Sequence, residues 1–341
     1  MRWRPRGSPR PPSTSSGRSQ GLRTLDSLIW DTAVAHGDPD TLLICHDPSL
    51  DLTRRAVESR ARVVFADPDY ARSQVARELG AEIAGDVRLD EFLARLGPGA
   101  GSVVGLGEMP KSLARLDYVA RSIAGAGFEE ARLVLGANNK HLSHGMNRVL
   151  ADSFHNVHGS RGRGKFRCLV ASGAREVTYE PVSQRGLVAV GGVFSGAKPD
   201  RGGELLRSCL PDQPGRLLDL GCGNGSVSRG VEGAVATDSD ADAVLSARAI
   251  GLEATWDDAG SQLPNASFDT IALNPPFHAG TTIDATLIQH LLDAAARLLA
   301  PGGALYVVHN SHLRYRGEVE RRFGEVEQVA RDATFTVLRA R

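Results

Sequence analysis

The sequence predicts an α/β protein that consists of two tandem, doubly wound units. Short apolar runs alternate with segments of helical spacing along most of the chain, a rhythm typical of parallel sheets covered by helices on both faces. The rhythm breaks over residues 158–184, which are rich in glycine and basic residues, and it resumes near residue 215. A length of 341 residues also fits two domains of roughly 150 residues each.

The first residues, 1–21, are predicted to be a disordered basic tail. They contain five arginines together with proline and serine, and they lack the apolar core of a secretory signal. Such a tail could contact a phosphate backbone. A tail with no specific role, or an over-extended start, explains the composition equally well.

In the first unit, residues 22–170, four apolar runs predict strands with helical segments between them. These runs cover residues 40–47, 61–69, 100–110 and 129–142. A further apolar run, 187–194, predicts a strand that leads into the second unit, residues 171–341. We therefore expect the same strand–helix unit twice, as in an internal duplication.

In the second unit, five apolar runs predict strands, followed by a closing pair near the end of the chain. The strands are expected at 216–220, 233–240, 252–258, 268–277 and 302–310, with the closing pair within 325–340. Helices are expected near 241–250 and 284–299. Only twelve residues, 226–237, separate Gly225 from Asp238, so the helix predicted between the first two strands is short and broken by glycine, which could loosen a ligand site beside it.

Composition limits the possible functions. The hydrophobic fraction is 41% and the charged fraction 23%, as in globular proteins. Basic and acidic residues number 40 each, so any surface for nucleic acid must be local. No apolar run approaches the roughly 20 residues that span a bilayer, so no membrane partner is expected. The cysteines are scattered without a C-x-x-C pair, which argues against a disulfide framework or structural zinc and favours the cytoplasm: Cys45, Cys168, Cys209 and Cys222.

A glycine-rich turn follows the first strand of the second unit. "LLDLGCGNG" places Asp219 within the strand and then Gly221, Gly223 and Gly225. A dinucleotide fingerprint, G-x-G-x-x-G, would place its third small residue at Ser226. The observed G-x-G-x-G spacing after an acid is instead typical of S-adenosylmethionine sites, because that cofactor lacks a pyrophosphate and carries an ammonium that a carboxylate can hold.

Two further acids are placed for the same cofactor. Asp238 closes the second strand, where a carboxylate can accept hydrogen bonds from a ribose, although it could also cap the following helix. Asp258, after the third strand, could accept from an adenine amine, and Asp257 is an alternative. Trp256 or a nearby apolar residue could stack on the adenine ring. Ordinary turn chemistry would explain the acids at 257 and 258 equally well.

The fourth strand ends in "NPPF", which predicts a pocket for a planar amine. Two prolines stop the strand, so Asn274, Pro275, Pro276 and Phe277 are held rigidly at its end. The amide oxygen and a proline carbonyl could both accept from the amine while the aromatic ring stacks on the base. A stiff turn is the alternative for this motif alone, but its place one strand after the acids favours the pocket.

Several segments resemble the bacterial ribosomal RNA guanine-N2 methyltransferases that modify small- or large-subunit RNA. These are "LDLGCGNG", "NPPFH", "GGALYVVHNSHLRY" and "TFTVLRA", and "HNSHLRY" and "PKSL" look closer to the large-subunit enzymes. Residues 108–124 and 135–150 are similar to the family's N-terminal domain, a degenerate copy of the catalytic fold used for RNA binding or support. Residues 192–211 are similar to its cofactor-capping entrance, including Phe194, Ser195 and Asp200.

The resemblance implies two tandem Rossmann-like methyltransferase units, the first degenerate and without a second catalytic site. It implies methyl transfer from S-adenosylmethionine, without a metal, to a guanine amine of ribosomal RNA or a ribosomal subunit, by a cytoplasmic monomer that flips the target base out of its stack. The cofactor residues would be Asp219, Gly221, Gly223, Gly225, Asp238, Asp258 or Asp257, and Phe194. Residues 161–167, which are rich in arginine, and residues 314–316 could contact RNA or be solvated loops.

Other functions stay open from the sequence. The same chemistry could act on a DNA adenine or a protein glutamine amide. A non-catalytic RNA-binding protein with a weakened cofactor site is a second alternative, motivated by the short helix after Gly225. A nicotinamide dehydrogenase is disfavoured by Ser226 and by the lack of a hydride-transfer constellation.

Overall fold

The computed structural model describes residues 22–99, 101–276, 282–313 and 315–341. The predicted basic tail, 1–21, lies outside the described residues, as do Phe277 and Arg314. In the described part of the chain, the strands form two seven-stranded sheets and a small two-stranded sheet. The helices of this part pack against the two large sheets, which confirms the predicted α/β class with two Rossmann-like sheets.

The first sheet has the order β3-β2-β1-β4-β5-β7-β6. Its strands are β1 (Thr41–His46), β2 (Arg62–Phe65), β3 (Glu82–Ile83), β4 (Ser102–Glu108), β5 (Glu130–Asn138), β6 (Phe154–Gly159) and β7 (Phe166–Ala174). The strands β1 to β5 are mutually parallel, and β7 runs antiparallel to both its neighbours. The break at 158–184 therefore contains the end of β6 and all of β7, and the boundary predicted at 170/171 falls within β7.

Six α-helices belong to the described residues of this first half. They are α1 (Thr24–Ala33), α2 (Asp51–Val57), α3 (Tyr70–Glu78), α4 (Leu89–Ala94), α5 (Leu113–Ala124) and α6 (His144–Ser153). Side chains of β1 alternate between two apolar clusters, with Leu43 and Cys45 in one and Leu42 and Ile44 in the other. Because β1 is buried on both faces, its sequence is a continuous apolar run rather than an alternating pattern.

The second sheet repeats this order. After a hairpin of β8 (Val182–Gln184) and β9 (Leu187–Ala189), the strands are β10 (Leu217–Leu220), β11 (Val235–Asp238), β12 (Glu253–Trp256), β13 (Phe268–Leu273), β14 (Leu299–Asn310), β15 (Val326–Arg331) and β16 (Phe335–Ala340). They are arranged as β12-β11-β10-β13-β14-β16-β15. Counted within each half, both sheets have the order 3-2-1-4-5-7-6, which is what a duplicated unit requires.

The helices of the second half are α7 (Arg201–Cys209), α8 (Ala241–Ala249), α9 (Thr282–Leu298) and α10 (Arg316–Glu320). The short helix predicted between β10 and β11 is wrong, because residues 221–230 run through successive turns. Gly225, Gly230 and Gly233 each have φ between +69° and +75°, a conformation that ends an α-helix. This connection is still packed against the protein interior, since Val227 and Ser228 are almost fully buried.

The two halves meet through buried polar contacts. Arg115 of α5 forms an ion pair with Asp242 of α8, with Nη1 and Oδ1 2.6 Å apart. The Trp256 indole Nε1 donates to the carbonyl oxygens of Pro68 and Ser239, at 3.1 Å each. These contacts fix the orientation of one sheet relative to the other. No helix in the described ranges is long and apolar enough to cross a bilayer.

Candidate active site

A cavity of about 380 Å³ lies beyond the carboxyl ends of β10, β11 and β13. This is where open parallel sheets bind ligands. Its wall comes from the glycine turn after β10, the acids after β11 and β12, the Asn-Pro-Pro segment after β13 and one face of α9. The segment between β9 and α7 closes it on the remaining side with Phe194, Ser195 and Asp200.

The glycine turn presents its main chain to the cavity. Gly221 and Gly223 have φ of +77° and +52°, and a Cβ added at either would meet no atom within 4 Å. A ligand can therefore approach this backbone closely. Gly225 differs, because its Cβ would lie 2.6 Å from Leu252 Cδ1. Gly225 allows the turn to pack on the protein interior, and it does not line the cavity.

Asp238 braces the turn from the end of β11 and also lines the cavity. Its Oδ2 accepts from Gly223 N at 2.9 Å and its Oδ1 from Asp240 N at 2.9 Å. Burial raises the pKa of this carboxyl, and the backbone donors oppose that shift. Burial also raises the pKa of Asp240 to about 8. Two carboxyl groups with raised pKa values therefore line the cavity, and a positively charged ligand beside them would favour their ionised forms.

Asp219 lies behind the turn and does not line the cavity. It is 1% exposed, and its Oδ2 accepts from Ser228 Oγ at 2.7 Å. Burial raises the pKa of Asp219 to about 7. The structure therefore places this predicted residue where it supports the turn between β10 and β11.

The two alternative acids after β12 take different positions. Asp257 is fully buried, and its carboxylate accepts from Thr237 Oγ1, from Gly260 N at 2.9 Å and from Gln262 N at 3.1 Å. Asp258 instead lines the cavity. It is half exposed, and its Oδ1 lies 2.8 Å from His290 Nε2 of α9. Of the two, only Asp258 can reach a ligand there.

Trp256 is not available to stack on a ligand, so of the two expected alternatives only a nearby apolar residue remains. Its ring packs edge-on against Tyr70 of the first half, with centroids 5.2 Å apart. The carbonyl acceptors of Pro68 and Ser239 hold the indole nitrogen in this orientation. Apolar side chains of α9 line the cavity instead, namely Leu287 and Leu291.

The Asn-Pro-Pro segment forms the wall opposite the acids. Asn274, Pro275 and Pro276 line the cavity, whereas the predicted stacking residue, Phe277, lies outside the described residues. Asn274 Nδ2 donates to Asp200 Oδ2 at 3.1 Å. Its Oδ1 is buried and has no hydrogen-bond partner among the described residues. A buried acceptor without a partner is costly, and a donor on a ligand would satisfy it.

Asn224, which sequence reasoning did not single out, joins the glycine turn to the entrance segment. Its Nδ2 donates to the carbonyl oxygens of Gly196 and Lys198 at 2.7 Å each, and its Oδ1 accepts from Ser226 N at 3.1 Å. An amide between two glycines of such a turn was the available signal. His290 was also missed, because nothing in the spacing of α9 relates it to Asp258.

The arginine-rich loop between β6 and β7 is exposed. Arg163 pairs with Asp31, with Nη2 and Oδ2 2.8 Å apart. Lys165 Nζ lies 5.4 Å from the centre of the Phe166 ring. Among the described residues, no three His, Cys, Asp or Glu side chains come together as metal ligands.

The chain is similar in sequence to known methyltransferases. Residues 184–339 match the family model of the methyltransferase small domain. A ribosomal RNA large subunit methyltransferase G from Pseudomonas syringae pv. tomato is 33% identical over 260 residues, which cover 68% of this chain and 69% of the relative. Relatives of the same name from Shewanella amazonensis and Streptomyces avermitilis are 31% and 41% identical, over 61% and 47% of this chain. Because the matches cover 61% and 46% of these two relatives, the chain spans about half to three fifths of their length.

A solved structure shares the whole architecture. The T. thermophilus 16S rRNA N2 G1207 methyltransferase, in complex with AdoMet and guanosine, matches 95% of this chain and 93% of its own, with a TM-score of 0.68. The sequence identity is 23%. The similarity therefore shows the fold, a Rossmann-like methyltransferase fold with two sheets.

Proposed function

The chain belongs to the family of the ribosomal RNA large subunit methyltransferase G, and from this premise we propose that it methylates the exocyclic amine of a guanine in ribosomal RNA, with S-adenosylmethionine as methyl donor. The observation that carries this proposal is the Asn274 amide oxygen, buried in the cavity wall without a partner among the described residues. Such an acceptor suits a substrate that brings an N–H donor. The matched family model and the named relatives support the same chemistry.

The cavity residues fit S-adenosylmethionine. The open backbone at Gly221 and Gly223 would face the methionine portion. Asp238 would hold the ribose hydroxyls and Asp258 would accept from the adenine amine, with the apolar face of α9 beside the ring. When bound, this cofactor supplies a sulfonium methyl group and leaves as a neutral thioether.

The other predicted cofactor residues would act at the margins of the site. Asp219, Gly225 and Asp257 contact the loops behind the cavity wall, and they would hold those loops in place. Phe194 is 70% exposed at the cavity mouth, and it would cover the cofactor. An exposed aromatic at a cavity mouth can bury its ring on a ligand, which stabilises the complex.

The target amine would be held by the end of β13. Asn274 Oδ1 and the Pro275 carbonyl oxygen would accept from the amine hydrogens and turn the nitrogen lone pair towards the methyl group. Phe277 would stack on the flipped base. The methyl group would pass from the sulfonium to the amine nitrogen, which would then release one proton to water, and the neutral thioether that leaves needs no general acid.

The finer assignments belong to the same proposal. The substrate would be ribosomal RNA of the large subunit, free or in a ribosomal subunit, and the enzyme would act as a monomer in the cytoplasm. The first half, residues 22–170, would be a degenerate methyltransferase unit that supports the site and contacts RNA. Its strand order equals that of the second half, while its sequence lacks the glycine turn and the Asn-Pro-Pro segment.

Calorimetry with S-adenosylmethionine and methyl transfer to ribosomal RNA test the proposal together. Wild-type protein should bind the cofactor, and Asn274→Ala should lower methyl transfer at least a hundredfold with the cofactor Kd changed by less than about threefold. Asn265→Ala, an exposed asparagine outside the cavity, is the matched control and should behave as wild type. Loss of cofactor binding in the Asn274 variant would show that this residue serves the cofactor instead.

The RNA target follows from mass spectrometry of ribosomal RNA from cells with and without the gene. One guanine should lose its methyl group in the deleted strain. Transfer by the purified protein to DNA or to a protein glutamine, with ribosomal RNA unmodified, would contradict the proposed substrate. Absence of cofactor binding by the wild type would favour the non-catalytic alternative.

A further inference from the structure

The Asn274 side chain can present either its oxygen or its nitrogen to the cavity, and its contact with Asp200 decides between the two. Asn274 Nδ2 lies 3.1 Å from Asp200 Oδ2. A carboxylate oxygen and an amide oxygen both accept hydrogen bonds, so only the amide nitrogen can face Asp200 favourably. The amide oxygen must then face away, and it is the atom left without a partner among the described residues.

Asp200 is itself held in place by α7. The oxygen that accepts from Asn274 also accepts from Gly203 N at 3.0 Å, which makes Asp200 the N-cap of this helix. A Cβ at Gly203 would lie 3.5 Å from Asn274 Nδ2 and 3.2 Å from a Val227 methyl group. A small residue at this position lets the first turn of α7 approach the end of β13, so the carboxylate reaches the amide.

We propose that Asp200 is a positioning residue that fixes the orientation of the Asn274 amide, so that the site offers an acceptor and selects substrates with an N–H donor. This inference rests on the proposed function, because it concerns how the target amine is recognised. Without Asp200 the amide could turn over and offer its NH₂ group to the substrate amine. Two donors would then face each other, and the lone pair of the amine would no longer be aligned.

Two substitutions separate this role from the capping of α7. Asp200→Ser keeps an N-cap oxygen, but its side chain is one bond shorter and cannot restrain Asn274. Asp200→Asn keeps an acceptor of the right length for both Gly203 N and Asn274 Nδ2. Ser143→Ala removes the cap of α6, where the Ser143 hydroxyl accepts from Met146 N, and serves as a control for loss of a cap outside the site.

Steady-state methylation of ribosomal RNA should separate the variants. Asp200→Ser should lower kcat about 10- to 100-fold, with the cofactor Kd within about threefold of wild type, because misorientation at the reacting centre is costly. Asp200→Asn should recover kcat to within about threefold, with an unchanged pH profile. Ser143→Ala should lower the unfolding temperature without lowering kcat.

A direct measurement of the amide makes the test independent of activity. In protein labelled with ¹⁵N at asparagine, the side-chain signal absent from Asn274→Ala identifies this group. Its hydrogens should exchange slowly in wild type and Asp200→Asn and at least tenfold faster in Asp200→Ser.

Three results would overturn the inference. Full kcat in Asp200→Ser would show that the amide needs no restraint, and unchanged exchange in that variant would show that something else holds it. Equal loss in Asp200→Asn and Asp200→Ser, with a shifted pH profile, would show that the carboxylate takes up a proton rather than positioning Asn274. If wild type neither binds the cofactor nor methylates RNA, the proposed function fails, and the exchange measurement still decides whether Asp200 orients the amide.

Discussion

The buried ion pair between the two halves yields a sharp prediction about stability and its pH dependence. Arg115 Nη1 lies 2.6 Å from Asp242 Oδ1, and the two residues are 9% and 2% exposed. Arg115→Leu leaves the carboxylate buried with Gly192 N, at 2.7 Å from Oδ2, as a remaining donor. Asp242→Asn leaves the guanidinium buried with the Ala66 carbonyl oxygen as a remaining acceptor, 2.5 Å from Nη2.

Either substitution should cost about 3–5 kcal/mol at pH 8, the range observed when one partner of a buried pair is removed. The matched control is Arg121→Leu on the same helix. Arg121 pairs with Asp117 at 2.8 Å, but both side chains are about 30% exposed. An exposed i,i+4 pair contributes only about 0.3–0.5 kcal/mol, so this variant should be nearly as stable as wild type.

The two substitutions should differ in their response to pH. Burial raises the pKa of Asp242 and Arg115 lowers it, so Arg115→Leu raises this pKa further. The folded variant then holds a proton that the unfolded chain, with a carboxyl pKa near 4, has released. The free energy of unfolding that Arg115→Leu loses relative to wild type should therefore shrink by at most about 1.4 kcal/mol per pH unit as the pH falls from 8 towards 5.5. Asp240 also interacts electrostatically with Arg115, and its protonation acts in the same direction.

Asp242→Asn should show no such recovery, because the guanidinium left behind stays protonated at every accessible pH. Urea unfolding at pH 5.5 and pH 8, followed by tryptophan fluorescence, measures both effects, since Trp256 lies at the contact between the halves. A deficit below 1 kcal/mol for Arg115→Leu, or the same pH dependence in both variants, would refute the reasoning.

Two further predictions concern the loop behind the cavity. Gly225→Ala should destabilise the protein by about 1–3 kcal/mol more than Gly233→Ala. Both glycines have positive φ, but only at Gly225 would the added Cβ lie 2.6 Å from Leu252 Cδ1. Equal unfolding temperatures of the two variants would contradict this packing argument. Burial raises the pKa of Asp219 to about 7, so wild-type stability should fall as the pH rises from about 4 to 7, where only the folded state keeps the proton. Asp219→Asn should therefore be more stable than wild type, by at most about 4 kcal/mol at pH 8 and at most about 2 kcal/mol at pH 5.5. If the unfolding temperatures of the two proteins depend on pH in the same way, this reasoning is wrong.

Much of the candidate site is predictable from the sequence, because parallel strands bring their carboxyl ends to one edge of a sheet. Asp238, Asp258 and Asn274 each follow an apolar run, and all three line one cavity. The choice between Asp257 and Asp258 was not predictable. Adjacent residues at a strand end point in opposite directions, and the direction depends on a turn whose donors, Gly260 N and Gln262 N, capture Asp257.

Contacts between residues that lie far apart in the sequence were also not predictable. Arg115 and Asp242 are 127 positions apart, and the sequence around either residue does not identify the other as its partner. The orientation of Trp256 towards the first half depends on the carbonyl oxygen of Pro68, 188 positions away. Local sequence patterns predict strands and turns. The partners of Arg115 and Trp256 depend instead on how the two completed sheets pack together, which local patterns do not predict.

The first half contributes to the cavity through the same ion pair. Asp242 Oδ2 accepts from Gly192 N, and a Cβ at Gly191 would lie 2.2 Å from that carboxylate. The backbone at these glycines is therefore pressed against Asp242, and two residues later the chain reaches Phe194 at the cavity mouth. Because Arg115 holds Asp242, a helix of the first half determines where the entrance segment of the second half begins. The first half, which repeats the strand order of the second, thus helps to position the entrance of the cavity through one buried carboxylate.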